Sequence, residues 1–390
     1  RPPKSTLFPY TTLFRSGGTP VFPDLPGMKL PHVYRLWTIP DMDAIVKHIK
    51  EKAPQHVAVI GGGFIGLEAA EAFVEKGLKV SLIEVMPHIM PQLDTVYGRK
   101  LEQRFRDAGV AVYTDARIEE ITASGVKLSG GALVPADLVL VSAGVKPNVE
   151  LAQSAGLDIG KTGALAVDEQ LRTADSLIWA AGDMVEVVSK VSGAKVRIPL
   201  AGPANRQGRI VATNALLALY EGAEKPEALE LLKPMRYGGA LGTSVIKIFD
   251  LTAASTGLSY AQAIRAGLSA KEVTLLRGSH ASYYPGAEDL LLTVVYEAAS
   301  GKILGAEALG KQGVEKRIDA LAVSLHAGLT VHDLAEIDFA YAPPYSSAND
   351  PVNMAGFMAE NEVSGYSPVI GMEEAGKAAS SKEGNAVWLD

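Results

Sequence analysis

Gly61-Gly62-Gly63-Phe64-Ile65-Gly66 puts glycine at the first, third and sixth positions of a turn between an apolar run, HVAVIG (56–61), and a helical run, LEAAEAFVEKG. A dinucleotide pyrophosphate needs that spacing. Gly61 allows a tight turn, Gly63 lets the backbone approach the phosphates, and Gly66 lets the helix lie close on the strand. Phe64 and Ile65 complete the turn, and Phe64 is a candidate cover for a nicotinamide ring. The helix that follows would aim free N–H groups and the positive end of its dipole at the phosphates. Glu84 closes the next apolar run, LKVSLIE (78–84). A carboxylate there accepts hydrogen bonds from the ribose hydroxyls of NADH and repels the 2'-phosphate of NADPH, so NADH is favoured. His88 lies nearby and reads as a surface histidine. Glu68, near the helix start, is a candidate partner for a base beside the nicotinamide, whereas Glu71 reads as a solvated helical face. Gly144, followed by Lys146, Pro147 and Asn148, ends the apolar run DLVLVSAG (137–144), and ligands bind at such carboxyl ends of parallel strands.

The elements that must hold these residues alternate. After a Gly- and Pro-rich stretch (17–40), a helix is expected over Asp41–Lys52 with Asp41 as its cap. Strands are expected at 56–61, 78–84, 110–114 and 137–144, a helix near Val96–Ala108, and short alternating segments over 116–135. Strand–helix–strand order with tight turns implies a parallel sheet covered by helices. Residues 151–235 form a second block, with a strand at SLIWAAGD (176–183) and a helix from Ala201 or Pro203 to Tyr220. From about Tyr237 the pattern becomes α+β: strands at 243–250, 289–298 and 301–310, a helix over Val314–Ala327, and a short helix started by Thr330.

Composition narrows the classes. A chain of 390 residues exceeds one hydrophobic core, so two or three domains are expected. A formal charge of −7 gives no basic footprint for nucleic acid, and no apolar run is long enough to span a membrane. No secretory leader pattern opens the chain, so the default location is cytoplasmic. Cysteine is absent, which removes disulfides, thiolate metal sites and a thiol nucleophile, and no metal site is expected.

Taken in order, GGGFIGLEAAE, SAGVKPN, WAAGD and LAGPANRQGR resemble the pyridine nucleotide–disulfide oxidoreductase family, and the branch holding coenzyme A-disulfide reductases, NADH oxidases and persulfide reductases in particular. GTSVIKIFDLTAASTG, SYYPGA, KRIDALA and YAPPYSSANDPVNMAG resemble that branch's dimerisation domain, so the resemblance covers 17–361. It implies an α/β fold of two dinucleotide-binding domains, three-layered with a parallel sheet, followed by a C-terminal α+β dimerisation domain. It also implies FAD as second cofactor beside NADH or NADPH. Asp183, after Gly182, would accept from the ribityl hydroxyls of the flavin, and Pro203 and Ala204 at the following helix start would face its pyrimidine side. Tyr283 and Tyr341, contributed by the partner subunit of a homodimer, would stand beside the substrate as auxiliary catalytic residues, with Tyr284 and Tyr345 as near alternatives. Asn349 departs from the lysine often found in that stretch, which weakens a fixed positive charge there.

The resemblance divides the chain into 17–50 (end of a first FAD segment), 51–154 (NAD(P)-binding), 155–235 (second FAD segment), 236–361 (dimerisation) and 362–390, a linker whose AVWLD ending resembles the start of a rhodanese-like domain. Thr6 to Ser16 resembles translated sequencing adapter. With a second glycine fingerprint and the family's redox cysteine both missing, the chain is expected to be a fragment without its N-terminal FAD segment, inactive as given. The intact enzyme is expected to pass hydride from NAD(P)H through FAD to a coenzyme A disulfide or a persulfide. An NADH oxidase or peroxidase and a cysteine-free nucleotide-binding protein are the alternatives.

Overall fold

The computed structural model describes residues 17–222 and 224–367; the adapter-like stretch and the AVWLD ending lie outside the described residues. Two compact units meet in sequence at Leu251 and Thr252.

The first unit opens with β1 (Gly18–Pro20), β2 (Val33–Tyr34) and α1 (Ile39–Lys52), then β3 (His56–Ile60), α2 (Phe64–Glu75), β4 (Lys79–Ile83), α3 (Thr95–Asp107) and β5 (Ala111–Tyr113). A meander follows, β6 (Ile118–Thr122), β7 (Gly125–Leu128) and β8 (Leu133–Pro135), then β9 (Leu138–Val141), β10 (Val145–Pro147) and α4 (Glu150–Ser154). The main sheet has the order β2-β9-β3-β4-β5, every pair parallel. Its centre is buried on both faces: Val57, Ala58 and Val59 on β3 and Leu138, Val139 and Leu140 on β9 are all fully enclosed. Such strands must read as continuous apolar runs, which is why they were visible in the sequence. On one face Ala58, Ile60, Val139 and Val141 pack with Ile121, Val126, Leu128 and Val134 of the meander. Val57 and Val59 alternate to the other face, and α2 packs on β3 and β4.

α1 starts two residues earlier than expected, and its cap is Thr38 rather than Asp41. The Asp41 N–H donates to the Thr38 hydroxyl, while the Asp41 carboxylate accepts from the Thr38 N–H at 2.8 Å. This reciprocal box satisfies two otherwise orphaned donors at the helix start.

The expected strand at 176–183 does not form. Side chains bend the backbone there: the Leu177 N–H donates to the Asp175 carboxylate at 2.8 Å, and the Thr173 hydroxyl bonds the carbonyls of Asp175 and Ile178. Leu177 is 81% exposed, so this apolar run is a surface turn. The segment 155–235 carries instead the two-stranded β11 (Val187–Val188) and β12 (Lys195–Val196) and the long helix α5 (Ala201–Ala218). β13 (Ser244–Ile248) ends the unit.

The second unit consists of β14 (Leu251–Gly257), α6 (Tyr260–Arg265), β15 (Ala270–Gly278), β16 (Asp289–Glu297), β17 (Ile303–Gly310), α7 (Val314–Ala327), α8 (Val331–Glu336) and α9 (Pro351–Val363). Its strands run β14-β17-β16-β15, all antiparallel, with α7 on β17 and α9 against β15 and β16. A buried ion pair pins α7 to the start of α9. The Arg317 guanidinium donates to Asp350 at 3.0 Å and to the carbonyls of Ser279 and Gly313, and Asp350 also accepts from the Ser346 hydroxyl and the Val352 N–H. The whole is an α/β protein with a parallel, dinucleotide-binding-type sheet and a C-terminal α+β unit.

Candidate functional site

The glycine turn sits at the carboxyl end of β3. Gly61 has φ +107, and a Cβ there would lie 2.4 Å from the Ser142 carbonyl oxygen. A Cβ on Gly66 would lie 1.9 Å from the Gly61 carbonyl oxygen, so the helix approaches the strand as closely as the sequence suggests. Around Gly63 a Cβ would meet nothing within 4 Å: the turn's outer face is open. α2 has Gly63 as its N-cap without a side-chain cap bond, and its first intrahelical bond is Leu67 N–H to the Gly63 carbonyl at 3.0 Å. The N–H groups of Phe64, Ile65 and Gly66 therefore lack intrahelical acceptors. Ser142, which sequence reasoning missed, braces this turn: its hydroxyl donates to the Ile60 carbonyl at 3.0 Å. A serine at a strand end has no sequence mark to distinguish it.

Glu84 is buried, and both of its carboxylate oxygens accept backbone bonds, from the Gly62 N–H at 2.7 Å and the Met86 N–H at 2.8 Å. It lines a cavity of about 500 Å³ together with Gly61, Gly63, Met86, Arg117 and Gly144. Gly144, at φ +106, has open space where a Cβ would stand. The open face at Gly63, the uncapped helix start and the fixed carboxylate fit a nicotinamide dinucleotide. Arg117 and Met86 were not foreseen, because the loops that carry them meet only in the folded sheet.

Two expected members lie elsewhere. Ile65 and Glu68 line a separate groove between α1 and α2, about 830 Å³, whose walls include Trp37, Ile45, Ala69 and Phe73. Helical periodicity explains this: Ile65, Glu68, Ala69, Ala72 and Phe73, three and four residues apart, share the α1-facing stripe. Phe64 is half-buried at the helix start. Glu71, read as a solvated face, is instead buried and accepts from the Phe249 N–H at 2.9 Å and from Lys247 at 3.4 Å. His88 is likewise buried rather than superficial, with Nδ1 2.9 Å from the Ile89 carbonyl.

Gly182 and Asp183 fall in a single 3₁₀ turn (Gly182–Met184), with Gly182 at φ +82. The Gly182 N–H donates to the Gln207 amide oxygen at 2.7 Å, tying this turn to α5. Burial raises the Asp183 carboxyl above the usual carboxylate value, and Arg197 offsets part of that. A half-buried carboxylate beside an uncapped helix start suits the hydroxyl-bearing end of a flavin. Pro203 and Ala204 do not themselves supply donors: proline has no N–H, and the Ala204 N–H already bonds the Leu200 carbonyl at 3.2 Å. The N–H groups of Ala201 and Gly202 are the ones left without an intrahelical acceptor. β1 pairs with β10, and Gly18 lies close to Asp183.

In the second unit the Tyr283 and Tyr341 hydroxyls meet at 2.5 Å. They are 73% and 47% exposed. The Tyr283 hydrogen bond holds the Tyr341 phenol above its ordinary value. Tyr284 stacks edge-on against buried His280, and His332 pairs with Glu360 at 2.7 Å. Among the described residues no cluster of three or more His, Asp or Glu side chains stands ready for a metal.

Comparison with known proteins agrees with this geometry. The family described as "Pyridine nucleotide-disulphide oxidoreductase" matches residues 11–208, and its dimerisation domain matches residues 243–351. A Pyrococcus furiosus protein named NAD(P)H sulfur oxidoreductase (CoA-dependent) is 32% identical over 87% of this chain and 74% of its own length. The structure of reduced Bacillus anthracis CoADR-RHD superposes with a TM-score of 0.87 at 37% identity, over 93% of this chain and 63% of that one. An engineered water-forming NADPH oxidase bound to NADPH, made from the Lactobacillus brevis NADH oxidase, gives a TM-score of 0.81 at 27% identity, over 90% of this chain and 75% of that one. The chain thus spans less than two thirds of the Bacillus anthracis protein. These matches correct the expectation of a fragment without its N-terminal flavin segment: the family match covers residues 11–208 and so reaches into the adapter-like stretch. None of the 390 residues is a cysteine, so this chain itself carries no thiol relay.

Proposed function

The chain belongs to the pyridine nucleotide-disulphide oxidoreductase family, and on that premise we propose that it is a flavin-dependent NADH oxidase, drawing hydride from NADH and delivering the electrons to dioxygen. The observation that carries this reading is a formed nucleotide cleft in a sequence with no thiol to relay electrons to a disulfide. Overall, NADH + H⁺ + O₂ gives NAD⁺ + H₂O₂; reduction onward to water needs a second electron pair and, in this chain, has no sulfur to receive it.

Each residue then has a defined task. The free N–H groups at the start of α2 hold the pyrophosphate, Gly61 and Gly66 keep strand and helix close enough to bring them to bear, and Glu84 accepts the ribose hydroxyls. FAD, when bound, supplies the two-electron carrier between nicotinamide and dioxygen. Asp183 would accept a hydrogen bond from a ribityl hydroxyl, and the Ala201 and Gly202 N–H groups would stabilise negative charge at the pyrimidine end. Residues 51–154 serve the nicotinamide nucleotide, 155–235 contribute to the flavin site, and 236–361 join two subunits into a homodimer.

NADH preference has independent support. The engineered NADPH oxidase carries five substitutions, at a glycine, an aspartate, an alanine, a methionine and a proline, separated by 18, 1, 1 and 5 residues. The same intervals run through Gly66, Glu84, Val85, Met86 and Pro91 here, and the last four line the cleft. By these intervals Glu84 corresponds to the aspartate that the NADPH-using variant lost, which supports its reading as the ribose-binding carboxylate.

A second reading, reduction of a coenzyme A disulfide or persulfide, draws support from the hydroxyl-to-hydroxyl contact of Tyr283 and Tyr341, two phenols able to protonate a leaving sulfur. The experiment that separates the two readings is NADH consumption by the FAD-loaded protein, in air with peroxide measured and under nitrogen with coenzyme A disulfide. Oxygen-dependent turnover with stoichiometric peroxide is expected. Anaerobic turnover driven by the disulfide at an equal or higher rate overturns the oxidase reading in favour of the second.

A further inference from the structure

We propose that Arg117 is a specificity-determining residue of the nucleotide cleft, meeting the 2'-phosphate of NADPH and so keeping the phosphorylated coenzyme usable beside Glu84. This rests on the reading of the cleft as a nicotinamide nucleotide site and adds the residue that sets how strict its preference is.

Arg117 lines the same cavity as Glu84, Val85, Met86 and Pro91. Its backbone is held there. The Glu84 N–H donates to the Tyr113 carbonyl at 2.8 Å, the Asp115 N–H to the Met86 carbonyl at 3.0 Å, and the Ala116 N–H to the Glu84 carbonyl at 3.0 Å. Asp115 takes a left-handed turn at φ +53, which carries the chain over the strand end and delivers Arg117 to the cleft mouth. Three bonds thus stitch the Arg117 loop to the loop that reads the ribose.

The guanidinium is uncommitted. Arg99 and Arg106 are drawn onto the buried Glu102, and Arg104 onto Asp250, but the Arg117 side chain makes no ion pair or hydrogen bond among the described residues. The acidic neighbours that follow it, Glu119 and Glu120, are both taken by Lys127, at 3.2 and 3.5 Å. A free guanidinium matches a phosphate with two parallel N–H bonds, which a ribose hydroxyl cannot use. Glu84, meanwhile, is a carboxylate whose two oxygens are each already bonded to a backbone N–H, so part of the charge that would repel a 2'-phosphate is compensated. The two opposite charges at one end of the cleft make the preference for NADH graded. Because Arg117 is exposed, its contribution falls as salt rises.

The test is direct binding to the purified protein, by calorimetry, of NADH, NADPH and the fragments 5'-AMP and 2',5'-ADP, with Arg117→Ala and Arg117→Lys. Arg117→Ala is expected to weaken NADPH and 2',5'-ADP on the order of tenfold, while NADH and 5'-AMP change by less than about threefold. Arg117→Lys, keeping the charge without the fork, should recover part of the loss. Equal weakening of both pairs by Arg117→Ala, or wild-type protein that binds NADH but no NADPH, overturns the role of Arg117 while leaving the nucleotide site intact. Wild-type protein that binds none of the four ligands removes the nucleotide site itself, and this inference with it.

Discussion

Replacing Asp350 by asparagine isolates the buried charge that holds the second unit together. Asp350 and Arg317 are 1% and 2% exposed, and asparagine still offers an oxygen to the Val352 N–H, so the cap of α9 survives while the negative charge goes. What remains is a guanidinium enclosed without its counter-charge. Breaking one side of a buried pair costs about 3–5 kcal/mol, a large share of the roughly 5–15 kcal/mol that folded domains possess. Urea unfolding followed by far-UV circular dichroism, together with hydrogen exchange of the α9 amides, would read the loss. Adding Arg317→Met should restore part of it, since the stranded charge is gone. A single-variant loss below about 1 kcal/mol would refute the reasoning. The pH dependence has a definite sign. Burial alone would raise the Asp350 carboxyl, but the charge and hydrogen bonds of Arg317, with Ser346 and the Val352 N–H, outweigh it and hold the group below its ordinary value. A carboxyl depressed in the folded state stabilises at pH above its unfolded value, about 3.9, and that stability disappears as pH falls through the lower folded value. The wild-type advantage over the asparagine variant should therefore be full at neutral pH and vanish in strong acid. The same variant should loosen the Tyr283 and Tyr341 loops, because Arg317 holds the Ser279 carbonyl and the Ala281 N–H bonds Ser346. The Tyr341 phenol would then titrate closer to its ordinary value in an ultraviolet pH titration.

Two further outcomes follow from the first unit. Glu84→Ala should weaken NADH binding about tenfold and cost about 1–3 kcal/mol in stability, since the Gly62 and Met86 N–H groups lose their acceptor; unchanged binding in calorimetry would remove Glu84 from the site. Gln207→Leu leaves the Gly182 N–H without its acceptor and should lower FAD retention through gel filtration while leaving NADH binding unchanged; equal loss of both would show that the effect is general unfolding.

The sequence revealed most where local and tertiary demands coincide. β3, β4 and β9 are buried on both faces, so their residues had to be apolar without interruption, and α7 over Val314–Ala327 ends at Gly328 in the left-handed conformation that stops helices. The glycine turn was legible because backbone clearance at Gly61 and Gly66 admits no other residue type cheaply. The run Leu177-Ile178-Trp179 misled because hydrophobicity alone does not report that Thr173 and Asp175 fold the backbone into a turn. α9 was overlooked since its Ala, Gly, Asn and Met mixture gives weak periodicity, and its existence depends on the Asp350 cap and on packing against α8 and β15. Glu68 lines the groove between α1 and α2 together with Ile65, a grouping that its nearness in sequence to the glycines does not reveal. Ser142 and the loop carrying Arg117 have no local mark in the sequence, because they meet the glycine turn and the Glu84 loop across strands adjacent in the sheet and distant in the chain.

Glu84 binds the backbone of the turn it helps to define, accepting from Gly62 on one side and Met86 on the other. Glu84's share in coenzyme choice and the rigidity of the phosphate-binding loop are therefore a single inherited trait, carried by one side chain. A lineage drifting from NADH towards NADPH could not exchange that carboxylate without consequence: the same step would slacken the loop that holds the phosphates. Changes at the neighbouring glycine turn would have to accompany it, to give the Gly62 and Met86 N–H groups new acceptors.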